Sequence, residues 1–89
     1  MPSYRVVFHR KAKKFLEGLD EKARRNLLED VVCLADFTGL KSRLDIVKLQ
    51  GTKAVYRLRS GRLRTVFTVD QPSGTIIILK IEQRERAYE

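Results

Sequence analysis

The sequence is short of the residue types that build several kinds of protein. It has one cysteine, Cys33, so no internal disulfide forms, and one histidine, His9, so no Cys/His metal cluster is available. No apolar run approaches the roughly 18 residues needed to cross a bilayer as a helix. The start, Met-Pro-Ser-Tyr-Arg, lacks the apolar stretch of a secretory signal. No Walker loop, nucleophile elbow or zinc-type spacing occurs. Acid is also scarce where it counts. Against 19 Lys and Arg stand 11 Asp and Glu, a net charge of +8 over 89 residues. The length predicts one domain, spanning residues 1–89, and the 43% hydrophobic content is that of a folded chain. These features predict a small cytoplasmic domain with an anionic partner or substrate.

The charge is concentrated. Between Lys41 and Phe67 lie Lys41, Arg43, Lys48, Lys53, Arg57, Arg59, Arg62 and Arg64, with Asp45 the lone acid. The rest of the chain is nearly balanced. A solvated basic face gives such a run with no function attached; so does a surface that docks nucleic acid or an acidic protein.

Tyr4 to Phe8 is rich in strand formers. Ala12, Phe15, Leu16 and Leu19 then recur at helical spacing. Asp20 is placed to cap a second helix, whose apolar stripe is Leu27, Leu28, Val31, Val32 and Ala35, with Leu34 beside it. Cys33 in this stripe is expected to pack, and Thr38-Gly39 to end the helix. Ile46 to Leu49 is a short β-like stretch. Val55 to Arg59 and Arg62 to Val69 read as strands about a Ser60-Gly61 turn. Thr75 to Ile81 holds the unbroken run Ile76-Ile77-Ile78-Leu79, the mark of a strand covered on both faces. The expected fold is α+β, an N-terminal strand, a helical hairpin and a C-terminal antiparallel meander (β-α-α-β-β-β), with the helices on one sheet face.

Side chains alternate along a strand, so Arg57 and Arg59 share a face, as do Arg62 and Arg64. With Ser60-Gly61 as the loop, Arg59 faces Arg62 and Arg57 faces Arg64. Four arginines then stand together, opposite Tyr56, Leu58, Leu63, Thr65 and Phe67. Like charges directly opposite destabilise a sheet by about 0.2–1 kcal/mol per pair. An anion among them relieves this, and the planar guanidinium fork suits phosphate. Splaying into water or pairing with the chain's own acids relieves it equally.

Three segments carry a resemblance that covers nearly the whole chain. They are Lys48-Leu49-Gln50-Gly51, then Tyr56-Arg57-Leu58-Arg59-Ser60-Gly61-Arg62-Leu63-Arg64, then Arg84-Glu85-Arg86-Ala87-Tyr88. In order and spacing the chain resembles the RelE/ParE toxins of prokaryotic type II toxin–antitoxin systems, above all their archaeal RelE-like members. The resemblance implies an mRNA interferase that cuts messenger RNA in the ribosomal A site without metal or other cofactor. It implies as partners the ribosome, mRNA and a cognate RelB-like antitoxin in a hetero-oligomer, with no membrane. It places catalysis on Arg57, Arg59, Arg64, Arg84 and Tyr88, with Lys48, Lys53, Arg62 and Arg86 as RNA contacts. Two departures stand out. Some relatives carry lysines where Arg57 and Arg59 stand, and many have a tyrosine where Phe67 stands. Arginine holds its proton too tightly to act as a base. Tyr88 is therefore the first candidate for that role, since neighbouring arginines lower a phenol's pKa. Rival readings are a ParE-like toxin directed at a protein such as DNA gyrase, and an inactive RNA- or ribosome-binding relative. His9 is expected at the surface or as a cap, and Glu85 as a charge partner of its arginine neighbours.

Overall fold

The computed structural model describes residues 4–35, 45–49 and 54–83. Strand β1 (Arg5–Phe8) leads into helices α1 (Arg10–Glu17) and α2 (Glu21–Leu34). Strands β2 (Asp45–Lys48), β3 (Val55–Ser60), β4 (Leu63–Asp70) and β5 (Thr75–Gln83) follow. They form one sheet in the order β1-β5-β4-β3-β2. β1 runs parallel to β5, and the other pairings are antiparallel. The expected α+β architecture is therefore present, with the short stretch before the hairpin supplying a fifth strand at the sheet edge.

Helix α1 starts at His9, whose Nδ1 accepts a hydrogen bond from the Lys11 backbone N–H at 3.2 Å. This satisfies one of the free N–H groups of the first turn, the capping role expected of that residue. Asp20 occupies the N-cap of α2, yet its side chain makes no capping hydrogen bond. Ala12 and Leu16 of α1, with Leu27, Val31 and Leu34 of α2, pack on the sheet face that carries Ile46, Leu58, Leu63, Phe67, Val69, Ile76, Ile78 and Ile81. Two sequence expectations for α2 are corrected. Val32 is 69% exposed and Cys33 is exposed, so the buried stripe is Leu27, Val31 and Leu34. Those three recur at i, i+4 and i+7, which is one helix face; Val32 and Cys33 are rotated off it. The expected stop at Thr38-Gly39 falls outside the described residues.

Phe67 is fully buried and stacks on Tyr56, with ring centroids 5.5 Å apart and planes 18° apart. Its packing role agrees with its place on the apolar face. The run in β5 is more one-sided than expected. Ile76 and Ile78 are fully buried, but Ile77 and Leu79 are only partly covered. A bulge explains why an unbroken run suits such a strand. Val66 pairs with Lys80 and Phe67 with Ile78, so Leu79 is the extra residue.

The hairpin turn also departs from expectation. Ser60 pairs with Leu63, so the two-residue loop is Gly61-Arg62 rather than Ser60-Gly61. Gly61 has φ +60°, and no described non-glycine residue has a positive φ. A positive φ at the first loop position and a negative one at the second is the sign pattern of a type II′ turn, which calls for glycine first. Arg59 is thus opposite Arg64, and Arg57 is opposite Val66.

Thr65 lies on the core face between Leu58 and Ile81 and is fully buried, and its Oγ1 has no hydrogen-bond partner among the described residues. Burying an unpaired hydroxyl costs about 1–3 kcal/mol. Thr65→Val should therefore raise unfolding stability by about 1 kcal/mol in a urea titration; a loss of stability contradicts this account of the site.

Candidate phosphate-binding face

The sheet face away from the helices is organised in rows that run across the strands. One row is Asp45, Arg59, Arg64 and Glu82, each directly opposite the next. Asp45 accepts a hydrogen bond from Arg59 Nε at 3.0 Å. Glu82 Oε2 lies 3.5 Å from Arg64 Nη1. The like-charged pair at the centre of the sheet is thus bracketed by carboxylates, and the row is neutral overall. Pairing with the chain's own acids, one of the ways open to relieve the repulsion, is realised for these two arginines.

The adjacent row is Val47, Arg57, Val66 and Lys80. It contains two cations and no acid. Glu82 reaches across from the first row, its Oε1 3.9 Å from Lys80 Nζ. Arg57 has no ion-pair partner among the described residues. The Nε atoms of Arg57 and Arg64 are buried without a hydrogen-bond partner there. A guanidinium that keeps donors unused on a face rich in cations is suited to an acceptor from outside the chain.

The structure brings Arg57, Arg59 and Arg64 together and places Arg62 and Lys48 elsewhere. Arg62, expected on this face, sits in the turn and lines a groove against α2 with Ala23, Leu27, Asp30 and Ser60, where the Ser60 hydroxyl donates to Asp30 Oδ2. Lys48 lies opposite Tyr56 and so points to the other side of the sheet. Lys53, Arg84, Arg86 and Tyr88 lie outside the described residues, as does Glu85. Reading the sequence missed Asp45 and Glu82 as arginine partners, and Lys80 altogether. Their alternation along β2 and β5 was visible, but their neighbours were not, because those depend on strand order and on the Leu79 bulge.

Comparison with known proteins places this geometry in a lineage. Residues 6–88 match the family described as ParE toxin of type II toxin–antitoxin system, parDE. The chain belongs to the RelE/ParE family of type II toxins. A relative described as the RelE1 toxin of Methanocaldococcus jannaschii is 33% identical over 86 residues, covering 97% of this chain and 96% of the relative. The toxin in the crystal structure of the archaeal RelE–RelB complex from Pyrococcus horikoshii OT3 superposes with a TM-score of 0.81 at 32% identity, covering 94% of this chain and 98% of that one. The isolated Escherichia coli RelE toxin shares the fold, with a TM-score of 0.80 at 19% identity over 97% of this chain and 92% of that one. Within this toxin fold, His9 is committed to capping, and among the described residues no group of His, Cys, Asp and Glu is arranged to hold a metal ion.

The carboxylates in the neutral row are 40–48% exposed. Ion pairs at such exposure contribute about 0.2–1 kcal/mol. Glu82→Gln should therefore lower stability by less than about 1 kcal/mol while delaying elution from a heparin column, because Arg64 and Lys80 lose their carboxylate. Earlier elution would contradict the assignment of these cations to an anion-binding face.

Proposed function

We propose that this toxin is a metal-free, ribosome-dependent endoribonuclease that cuts mRNA in the A site and so stops translation in the cytoplasm. The observation that carries the proposal is the convergence of Arg57, Arg59 and Arg64 on one open sheet face. Cleavage proceeds by attack of a ribose 2′-oxygen on the adjacent phosphorus as the bond from phosphorus to the 5′-oxygen breaks. The products are a 2′,3′-cyclic phosphate and a free 5′-hydroxyl. One proton leaves the 2′-hydroxyl and one arrives at the 5′-oxygen. Negative charge builds on the phosphoryl oxygens between these events, and fixed guanidinium groups stabilise it there. The arginines remain protonated throughout, so they hold and polarise phosphate rather than exchange protons. In this reading Tyr88 accepts the proton, and Arg84 joins the cations from the same C-terminal segment.

The antitoxin completes the proposal. The Pyrococcus horikoshii toxin is seen in complex with RelB, and at 32% identity the same kind of partner is proposed here. The competing reading, a toxin that acts on a protein target, has in its favour the ParE name of the matched family. Mapping mRNA ends in a translating extract separates the two. The nuclease gives discrete cuts inside A-site codons. Arg64→Ala should reduce cleavage about 100-fold or more, the scale set by removing one transition-state hydrogen-bond donor, and should reduce ribosome co-sedimentation much less. Equal losses leave Arg64 a binding residue only. Tyr88→Phe should slow the cut step; an unchanged rate removes the phenol from proton transfer.

A further inference from the structure

The charge on the open face is unevenly available. In the row Asp45, Arg59, Arg64 and Glu82, both cations are held by carboxylates. In the row Val47, Arg57, Val66 and Lys80, Arg57 has no carboxylate partner among the described residues, and Lys80 has among them only the 3.9 Å contact to a carboxylate shared with Arg64. Free positive charge therefore stands on the second row when no substrate is bound. Between its two cations lies Val66, only 8% exposed although it faces away from the helix-packed core. The residues directly opposite it on either side are Arg57 and Lys80. Their aliphatic stems can cover it while the charged heads remain at the surface.

We propose that Arg57 and Lys80 form a second phosphate subsite, which receives the RNA phosphate next to the one held by Arg59 and Arg64. Rows two residues apart along a strand are separated by about 6.7 Å, a step comparable to one nucleotide of an extended strand. Two cations on β3 and β5 straddle β4 and so can grip one phosphate from both sides. Val47, 37% exposed at the end of the same row, supplies an apolar surface against which a ribose or base edge rests. RNA lands first on Arg57, at which no carboxylate of the described residues has to be displaced. A phosphate reaching the other row must replace Asp45 and Glu82 at the guanidinium groups. When Glu82 releases Arg64 it also releases Lys80, so one carboxylate couples the two subsites. Lys80 is thus a substrate-binding residue of the same site. The inference rests on the nuclease reading for the identity of the RNA, but not for the existence of the anion subsite.

The test uses a short oligoribonucleotide with a 2′-O-methyl sugar at each position, which blocks attack by the 2′-oxygen, fluorescently labelled and titrated into the full chain at several salt concentrations. Lys80→Ala should weaken binding about tenfold. It should also reduce the slope of log affinity against log salt by about 0.7, the value for one single-strand phosphate contact. Lys80→Arg should restore both. Lys22→Ala, on α2 beside the other face, should change neither. In ribosomal cleavage, Lys80→Ala should raise the half-saturating concentration far more than it lowers the maximal rate. Lys80→Ala behaving like Lys22→Ala overturns the subsite, even if Arg64→Ala abolishes cleavage and the nuclease reading stands. No oligonucleotide binding by the unmodified chain overturns it as well. So does a Lys80→Ala defect confined to antitoxin binding, which would make this a protein-docking residue. Oligonucleotide held through Lys80 with no mRNA cut by the unmodified toxin supports the subsite and removes the nuclease reading.

Discussion

The register of β3 against β4 is the constraint on which the rest of this molecule depends. It is set locally by Gly61, whose φ of +60° opens the two-residue loop. A slip of one residue would turn every side chain of one strand to the other face. Either Arg57 and Arg59 on β3 or Arg64 on β4 would then enter the layer now filled by Leu58, Leu63 and Phe67. Burying unpaired guanidinium groups in an apolar core is far more costly than any gain from altered pairing. The core therefore enforces the register at each alternate residue, and the turn starts it. An alanine at Gly61 would meet nothing within 4 Å, so its cost lies in the backbone conformation rather than in space.

That register places two like charges side by side at the middle of a sheet. The flanking strands offset this arrangement with Asp45 and Glu82, one on either side. The carboxylates also hold the arginine heads where a phosphate would find them, so less side-chain freedom is lost when one binds. The molecule at rest thus contains one compensated row and one row with free charge. Like charge on this face is a liability for folding, and under the proposed function it is the requirement for anion binding.

Local patterns were legible in the sequence, and long-range neighbours were not. The four-residue spacing of Ala12 and Leu16 in α1 shows directly, and so does the alternation that puts Tyr56, Leu58 and Phe67 opposite the arginines. In α2 an excess of apolar residues blurred the stripe, because Val32 and Cys33 have the composition of core residues but the wrong angle. Residue preference alone favours Ser60-Gly61 as the loop, whereas the positive φ at the first loop position demands glycine there. The bulge at Leu79 was hidden because an extra leucine in an isoleucine run leaves no mark on the pattern. Asp45, Lys80 and Glu82 became meaningful only once the strand order β5-β4-β3-β2 set them beside the arginines. The family resemblance located Arg57, Arg59 and Arg64 but says nothing of what neutralises them.

The most direct test of this account is an NMR titration of the arginine side-chain Nε–H signals with the non-cleavable oligoribonucleotide. The account predicts that the Arg57, Arg59 and Arg64 signals shift together and saturate at one concentration, with Arg57 at least as strongly perturbed as the others. Arg24 and Arg25 on α2 should remain in place. Shifts centred on the α2 arginines, or small uniform shifts across all of them, would contradict the claim that the open sheet face is where this toxin holds phosphate.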